Sequence, residues 1–158
     1  MKKNLTPKTL SRYAAVQAIY NLNFSDNALD IKEYFLDREE SPLKLDFDQH
    51  FDGKKFNKIF FTEIFELFNK KQIIIDDLIK LHLEENWSID RLPKVLLAIL
   101  RVAISEMIHS PKLSLAILIS EYLKLTESFC SKSECPFTNA ILEKIYTSKK
   151  YLKKKNDE

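Results

Sequence analysis

Lys8, Arg12, Gln17 and Tyr20 fall within one short stretch of the chain, with Lys2 and Lys3 just ahead of them. Ammonium and guanidinium groups neutralise phosphates, while a phenol ring and a carboxamide stack on and hydrogen-bond to unpaired bases. Contact with a single-stranded RNA needs that mixture. The alternative is a solvated basic helix start with Tyr20 packed inward, and spacing by itself favours it, because basic helix starts are routine. Nothing comparable points to catalysis or metal binding. Gly53 is the sole glycine, whereas phosphate-cradling loops and dinucleotide folds need several at fixed spacing. Cys130 and Cys135 share one short connection, and His50, His82 and His109 are scattered without CxxC or HxxxH spacing. Neither a metal nor a cofactor is therefore expected. Serines, histidines and acids occur without an organised triad, so no catalytic residue is assigned and no enzymatic activity is expected.

The elements that position these residues read as helices throughout. Thr6-Pro7 is an N-cap followed by proline at the first helical position, and Leu10, Ala14, Ala18 and Leu22 continue at helical spacing. This predicts a first helix over 7–23 that carries Lys8, Arg12, Gln17 and Tyr20. Asp30 to Leu36 predicts a short second helix, and Ser41-Pro42 through Gly53 a loop. From Lys54 onward Phe56, Phe60, Ile64, Leu67 and Phe68 recur at helical spacing, with Phe61 and Phe65 widening the stripe, which predicts a long core helix. A further helix follows over Ile73 to Leu83. Ser88 caps the next and central one, where Val95, Ile99 and Val102 line one side and Leu97, Leu100, Ile104 and Ile108 the other. Only Lys94, Arg101 and Ser105 form a polar strip, so this helix is buried from both sides. Ser110-Pro111 ends it, Leu113 to Phe129 forms another helix, and Ser133 to Pro136 restarts one running through Ile145. No strand-period segment competes. The fold class is all-α, a packed bundle of about seven helices.

With 158 residues, 45% of them hydrophobic and 30% charged, the chain fits one domain over 1–158 that buries a core without disulfides or metals. The longest apolar run, Val95 to Leu100, is far below membrane-spanning length, and Asn4 to Arg12 supplies no signal-peptide core. A cytoplasmic location with reduced thiols and no membrane contact is expected. The net charge of +2 is unevenly spread. Both ends are basic, with a lysine-rich tail from about residue 148, whereas Asp26 to Asp52 is acidic. Separated charge of this kind orients a polyanion.

Trp87, Arg91-Leu92, Ala98-Ile99-Leu100-Arg101, Glu106, Glu121 and Phe137-Thr138-Asn139 punctuate the apolar pattern in that order, behind an opening from Arg12 to Tyr20 that reads RYAAVQAIY. Together they resemble the W…RL…ILR…E…NE…F…FVNG and R…A.QALY patterns of the NusB family of bacterial transcription antitermination factors. The resemblance implies two three-helix subdomains around the central helix and a non-catalytic RNA-binding protein. It further implies that boxA-type single-stranded RNA of ribosomal RNA transcripts is bound together with NusE, the transcription role of a small-subunit ribosomal protein. The RNA polymerase antitermination complex then resists termination. Arg12, Gln17 and Tyr20 fall on the family's RNA-binding segment, which favours the RNA reading of Lys2, Lys3, Lys8, Arg12, Gln17 and Tyr20 over the solvated one. Phe137 and Asn139 either flank the RNA path or serve structure. The chain also departs from the family. Thr9 and Leu10 stand where arginine is frequent, and lysine lacks arginine's bidentate grip, so a reduced RNA affinity is expected. Leu96-Leu97 replaces a charged pair; enclosure of Leu96 is preferred to an apolar partner contact there. Arg101 and Glu106 match the family's pattern but do not face each other on one helix, so each needs another partner. A second class of function, a helical protein-interaction scaffold with little RNA binding, fits the depleted arginines.

Overall fold

Side-chain caps start most of the helices, and proline decides where the central one begins. The computed structural model describes residues 5–37 and 56–152; Lys2, Lys3, the expected loop over 41–53 and the end of the lysine-rich tail lie outside them. Helix α1 spans Pro7–Asn21, with the Thr6 hydroxyl accepting from the Thr9 amide at 3.1 Å and Pro7 in the first turn, where its missing N–H is no loss. Asn27 caps α2, Ala28–Leu36, by accepting from the Asp30 amide, and Asn57 caps α3, Lys58–His82, by accepting from that of Phe60. The two helices expected on either side of residue 70 are one. No proline or glycine stands between Phe68 and Ile73 to terminate it, and only Lys71 leaves helical geometry, at φ −113° and ψ 26°.

The expected capping role of Ser88 is corrected by the structure. Ser88 precedes only a 3-10 turn, Ile89–Arg91, and makes no side-chain cap bond. Pro93 pushes Leu92 into extended backbone at ψ 138°, so the central helix α4 starts later, at Lys94, and runs to His109. Ser114 caps α5, Leu115–Phe129, and a 3-10 turn, Lys132–Glu134, leads into α6, Cys135–Ser148.

Every residue of α4 from Leu96 to Ile108 is buried, Arg101 and Ser105 included, whereas Lys94 of the same polar strip is exposed. This helix touches α1, α3, α5 and α6, while α1, α2 and α3 pack on one another and α5 pairs with α6. Two helical groups therefore meet around α4. Each fully enclosed Leu, Ile or Val contributes roughly 1.5–3 kcal/mol by leaving water. The polar atoms in that core are satisfied locally. The Ser105 hydroxyl donates to the Arg101 carbonyl at 2.7 Å, and the Arg101 fork reaches Asp76 at 2.9 and 2.8 Å, joining α4 to α3. Among the described residues no buried side-chain nitrogen or oxygen lacks a hydrogen-bond partner. None of their helices is long and apolar enough to cross a membrane.

Candidate nucleic-acid interface

Helix α1 carries the residues singled out by sequence, and the structure divides them into an enclosed set and an open one. Arg12 belongs to the enclosed set. It is 6% exposed. Its Nε and Nη2 donate to the two oxygens of Glu106 at 2.7 and 2.6 Å, and its Nη1 donates to Glu121 Oε1 at 2.6 Å. The expectation that Arg12 neutralises phosphate is therefore corrected, because its guanidinium already faces two carboxylates, one on α4 and one on α5. Burial by itself would lower the Arg12 pKa, but the Glu106 hydrogen bond and the nearby negative charges outweigh it and raise it.

The two carboxylates are held in turn. The Tyr122 hydroxyl donates to Glu106 Oε1 at 2.6 Å, and burial beside that carboxylate pushes the phenol pKa well above its ordinary value. Glu121 accepts from the Thr9 hydroxyl at 2.6 Å and from Lys124 Nζ at 2.7 Å. Burial would raise the Glu121 pKa; the hydrogen bonds from Lys124 and Thr9, with the Arg12 charge, bring it below the ordinary carboxylate range. Glu106 and Arg101 thus find the separate partners that their spacing required. Beside this network lies the Phe60 ring, with Lys8 Nζ at 5.2 Å and the Arg12 guanidinium at 5.4 Å from its centroid. His109 meets the edge of the same ring and pairs with Glu63. Lys8 itself is exposed.

The other half of α1 is open. Gln17 and Tyr20 line a groove of about 540 Å³ together with Val16, Asn21, Lys94, Val95 and Phe129. Tyr20 meets Phe24 edge-on at 5.3 Å, and Lys94 Nζ stands 5.1 Å from the Phe24 centroid. Phe24 is 64% exposed. Two rings, two carboxamides and an ammonium group on apolar walls can stack a planar group and neutralise an anion beside it. Reading the sequence missed Phe24, Lys94 and Phe129 as members of this set. Phe24 sits in the turn after α1, and Lys94 reads as part of a polar strip; the signal that could have linked them is a lone aromatic in an Asn-rich, polar turn.

The remaining candidates are dispersed. Phe137, half-buried at the start of α6, packs against the core, whereas Asn139 is exposed on the same helix. Leu96 is 3% exposed, so its side chain offers a partner no surface and the enclosed alternative describes its position. Cys130 and Cys135 are free thiols beside the α5–α6 connection. No group of His, Cys, Asp and Glu suited to hold a metal ion occurs among the described residues.

An all-helical bundle whose first helix is locked inward at one end and lines an aromatic, cationic groove at the other defines a helical binding module. The NusB family model matches residues 9–147. The chain is 31% identical to the transcription antitermination protein NusB of Rickettsia bellii over 151 residues, covering 89% of this chain and 90% of the relative. It is 27% identical to that of Rhizobium etli over 146 residues, covering 90% and 88%. The crystal structure of T. maritima NusB superposes with a TM-score of 0.71 at 23% identity, covering 98% of this chain and 99% of that one. A chain in the crystal structure of a plectonemic RNA supercoil gives 0.70 at 20% identity, covering 91% and 96%; both likenesses concern the fold. The chain belongs to the NusB family and is a transcription antitermination factor.

Proposed function

We propose that this chain binds boxA-type single-stranded RNA jointly with NusE and so helps RNA polymerase resist termination, without catalysing a reaction. The observation that carries the reading is the meeting of Gln17, Tyr20 and Lys94 along one groove, with Phe24 against both Tyr20 and Lys94 and with Lys8 exposed on the same helix as Gln17 and Tyr20. Rings supply stacking for any base and ammonium groups supply phosphate neutralisation, so affinity comes from charge and selectivity from the groove and the partner. Because Arg12 faces inward, the RNA surface of α1 is weaker than an arginine-rich helix. Binding by the chain alone is accordingly weak, and NusE strengthens it by bringing a second set of contacts to the same strand.

Titration of labelled boxA-type RNA with and without NusE tests this. Coupling is reciprocal, so RNA tightens the protein pair by the factor by which the pair tightens RNA. Absence of NusE binding under every condition sinks the joint reading. The apolar walls of the groove, Val16, Val95 and Phe129, favour one alternative use. A partner's side chain would fill it as well as a base. If Tyr20→Ala weakens NusE binding without RNA present and leaves RNA binding by the chain alone unchanged, the groove is the partner's and the RNA runs elsewhere.

A further inference from the structure

With Arg12 turned inward, Lys8 is the only other cation on α1, and a second one reaches the start of this helix from another element. Lys124 and Glu121 lie one turn apart on α5, and the Lys124 Nζ is 2.7 Å from Glu121 Oε2. The other oxygen of the same carboxylate takes the Thr9 hydroxyl at 2.6 Å and Arg12 Nη1 at 2.6 Å. Thr9 is the residue after Lys8. One carboxylate thus bridges α5 to the first turns of α1 and holds Lys124 beside the helix start that also carries Lys8.

Exposure orders the two charges. The Glu121 side chain is 12% exposed and that of Lys124 is 33% exposed, so a group arriving from solvent meets the ammonium before the carboxylate. The carboxylate's charge is met from behind by the buried Arg12. A lysine ammonium has three donors, and the Glu121 bond engages one of them. A salt bridge between exposed residues one turn apart is weak, but Glu121 is only 12% exposed and its Oε1 is held by Thr9 and Arg12, which fixes the carboxylate whose other oxygen Lys124 meets. We infer that Lys124 is a phosphate ligand of the RNA surface, delivered from α5 to the start of α1 by Glu121. This rests on the RNA reading proposed above and extends the surface from one helix to two.

The test uses the full chain with NusE and labelled boxA-type RNA over a salt series. Lys124→Ala and Lys124→Gln should each make the slope of log affinity against log salt shallower by about 0.7, the value for one lost phosphate contact on a single strand. Lys124→Arg should restore the slope. Lys144→Ala serves as the control for net charge, because Lys144 pairs with Glu84 away from α1, and its slope should match the wild type. Circular dichroism confirms that each variant is folded. If the wild type binds RNA and the Lys124 variants share its slope, or if Lys144→Ala flattens the slope equally, Lys124 is no ligand while the RNA reading stands. If the wild type binds no RNA at any salt concentration, both fall together.

Discussion

Arg12 and Tyr20 lie on the same helix, and the molecule uses them in opposite ways. Around Arg12 four polar side chains from three helices close a network in which no buried side-chain nitrogen or oxygen lacks a partner: Glu106, Glu121, Tyr122 and Thr9. Around Tyr20 the neighbours are partly exposed rings, carboxamides and Lys94, and the space between them is open. The first region holds α1 in place; the second presents what α1 carries. A cation near a helix start is therefore not evidence of a nucleic-acid contact until the acids that face it are known.

The contrast is tested most severely at Arg12. Its removal leaves two largely buried carboxylates without their shared cation, and breaking a buried pair in this way costs about 3–5 kcal/mol. Arg12→Ala should lower stability by that amount in urea unfolding. A variant of wild-type stability that has lost RNA affinity would place Arg12 among the ligands and erase the distinction. Tyr122→Phe is the milder cut. It removes one hydrogen bond to a charged group, for a loss of about 1.5–3 kcal/mol. The same substitution has a pH signature. Because the folded Tyr122 pKa is raised, its contribution is complete below the unfolded value of about 10 and is lost as pH rises through the folded value. The wild type should lose stability in that alkaline range more steeply than Tyr122→Phe.

On the open side the expected effects are on binding. Tyr20→Ala should weaken RNA binding by about 1–3 kcal/mol if a base stacks on the ring, with little change in melting temperature, since Tyr20 is only partly buried. Unfolding of this variant would mean that Tyr20 belongs with the enclosed residues.

Much of this arrangement was legible in the sequence, and the part that was not has a physical cause. Thr6-Pro7 announced the start of α1, and the nearly all-round apolar pattern from Val95 to Ile108 announced a helix buried from both sides. Helical periodicity and capping are local, so they can be read locally. Glu106 also gave a usable hint, because an acid in a helix apolar nearly all round must have a partner. The identity of that partner was hidden: Arg12 stands 94 residues away in the chain, and basic residues at a helix start read equally well as surface. The groove was hidden for the same reason. Lys94 reaches Phe24 only because α4 packs across α1, and no local spacing records that crossing.

Acid separates the regions more gently than mutation does. The folded Glu121 pKa is depressed, so its contribution to stability is present above the ordinary carboxylate value of about 4.3 and is lost as pH falls through the lower folded value. Unfolding measured from pH 6 downward should therefore show the wild type losing stability below pH 4 or so more steeply than Glu121→Gln, which has no charge to lose there. Equal acid responses would mean that Glu121 is not held by Thr9, Arg12 and Lys124 in solution.

The smallest expected effect is at Lys94, and it separates presentation from packing most cleanly. Its ammonium group lies over Phe24, itself 64% exposed, and a cation over an exposed ring contributes about 0.5–1 kcal/mol at most. Lys94→Ala should consequently leave the unfolding midpoint almost where it was. If the groove binds RNA, the same substitution should flatten the salt dependence of binding by about 0.7 in log–log slope, while Lys94→Arg should retain it. Should Lys94→Ala instead lower stability as much as Tyr122→Phe, the cation–ring contact is holding the turn after α1 against α4, and the groove has joined the enclosed half of the molecule. A slope change with an unchanged midpoint has only one reading: Lys94 touches phosphate and does nothing for the fold.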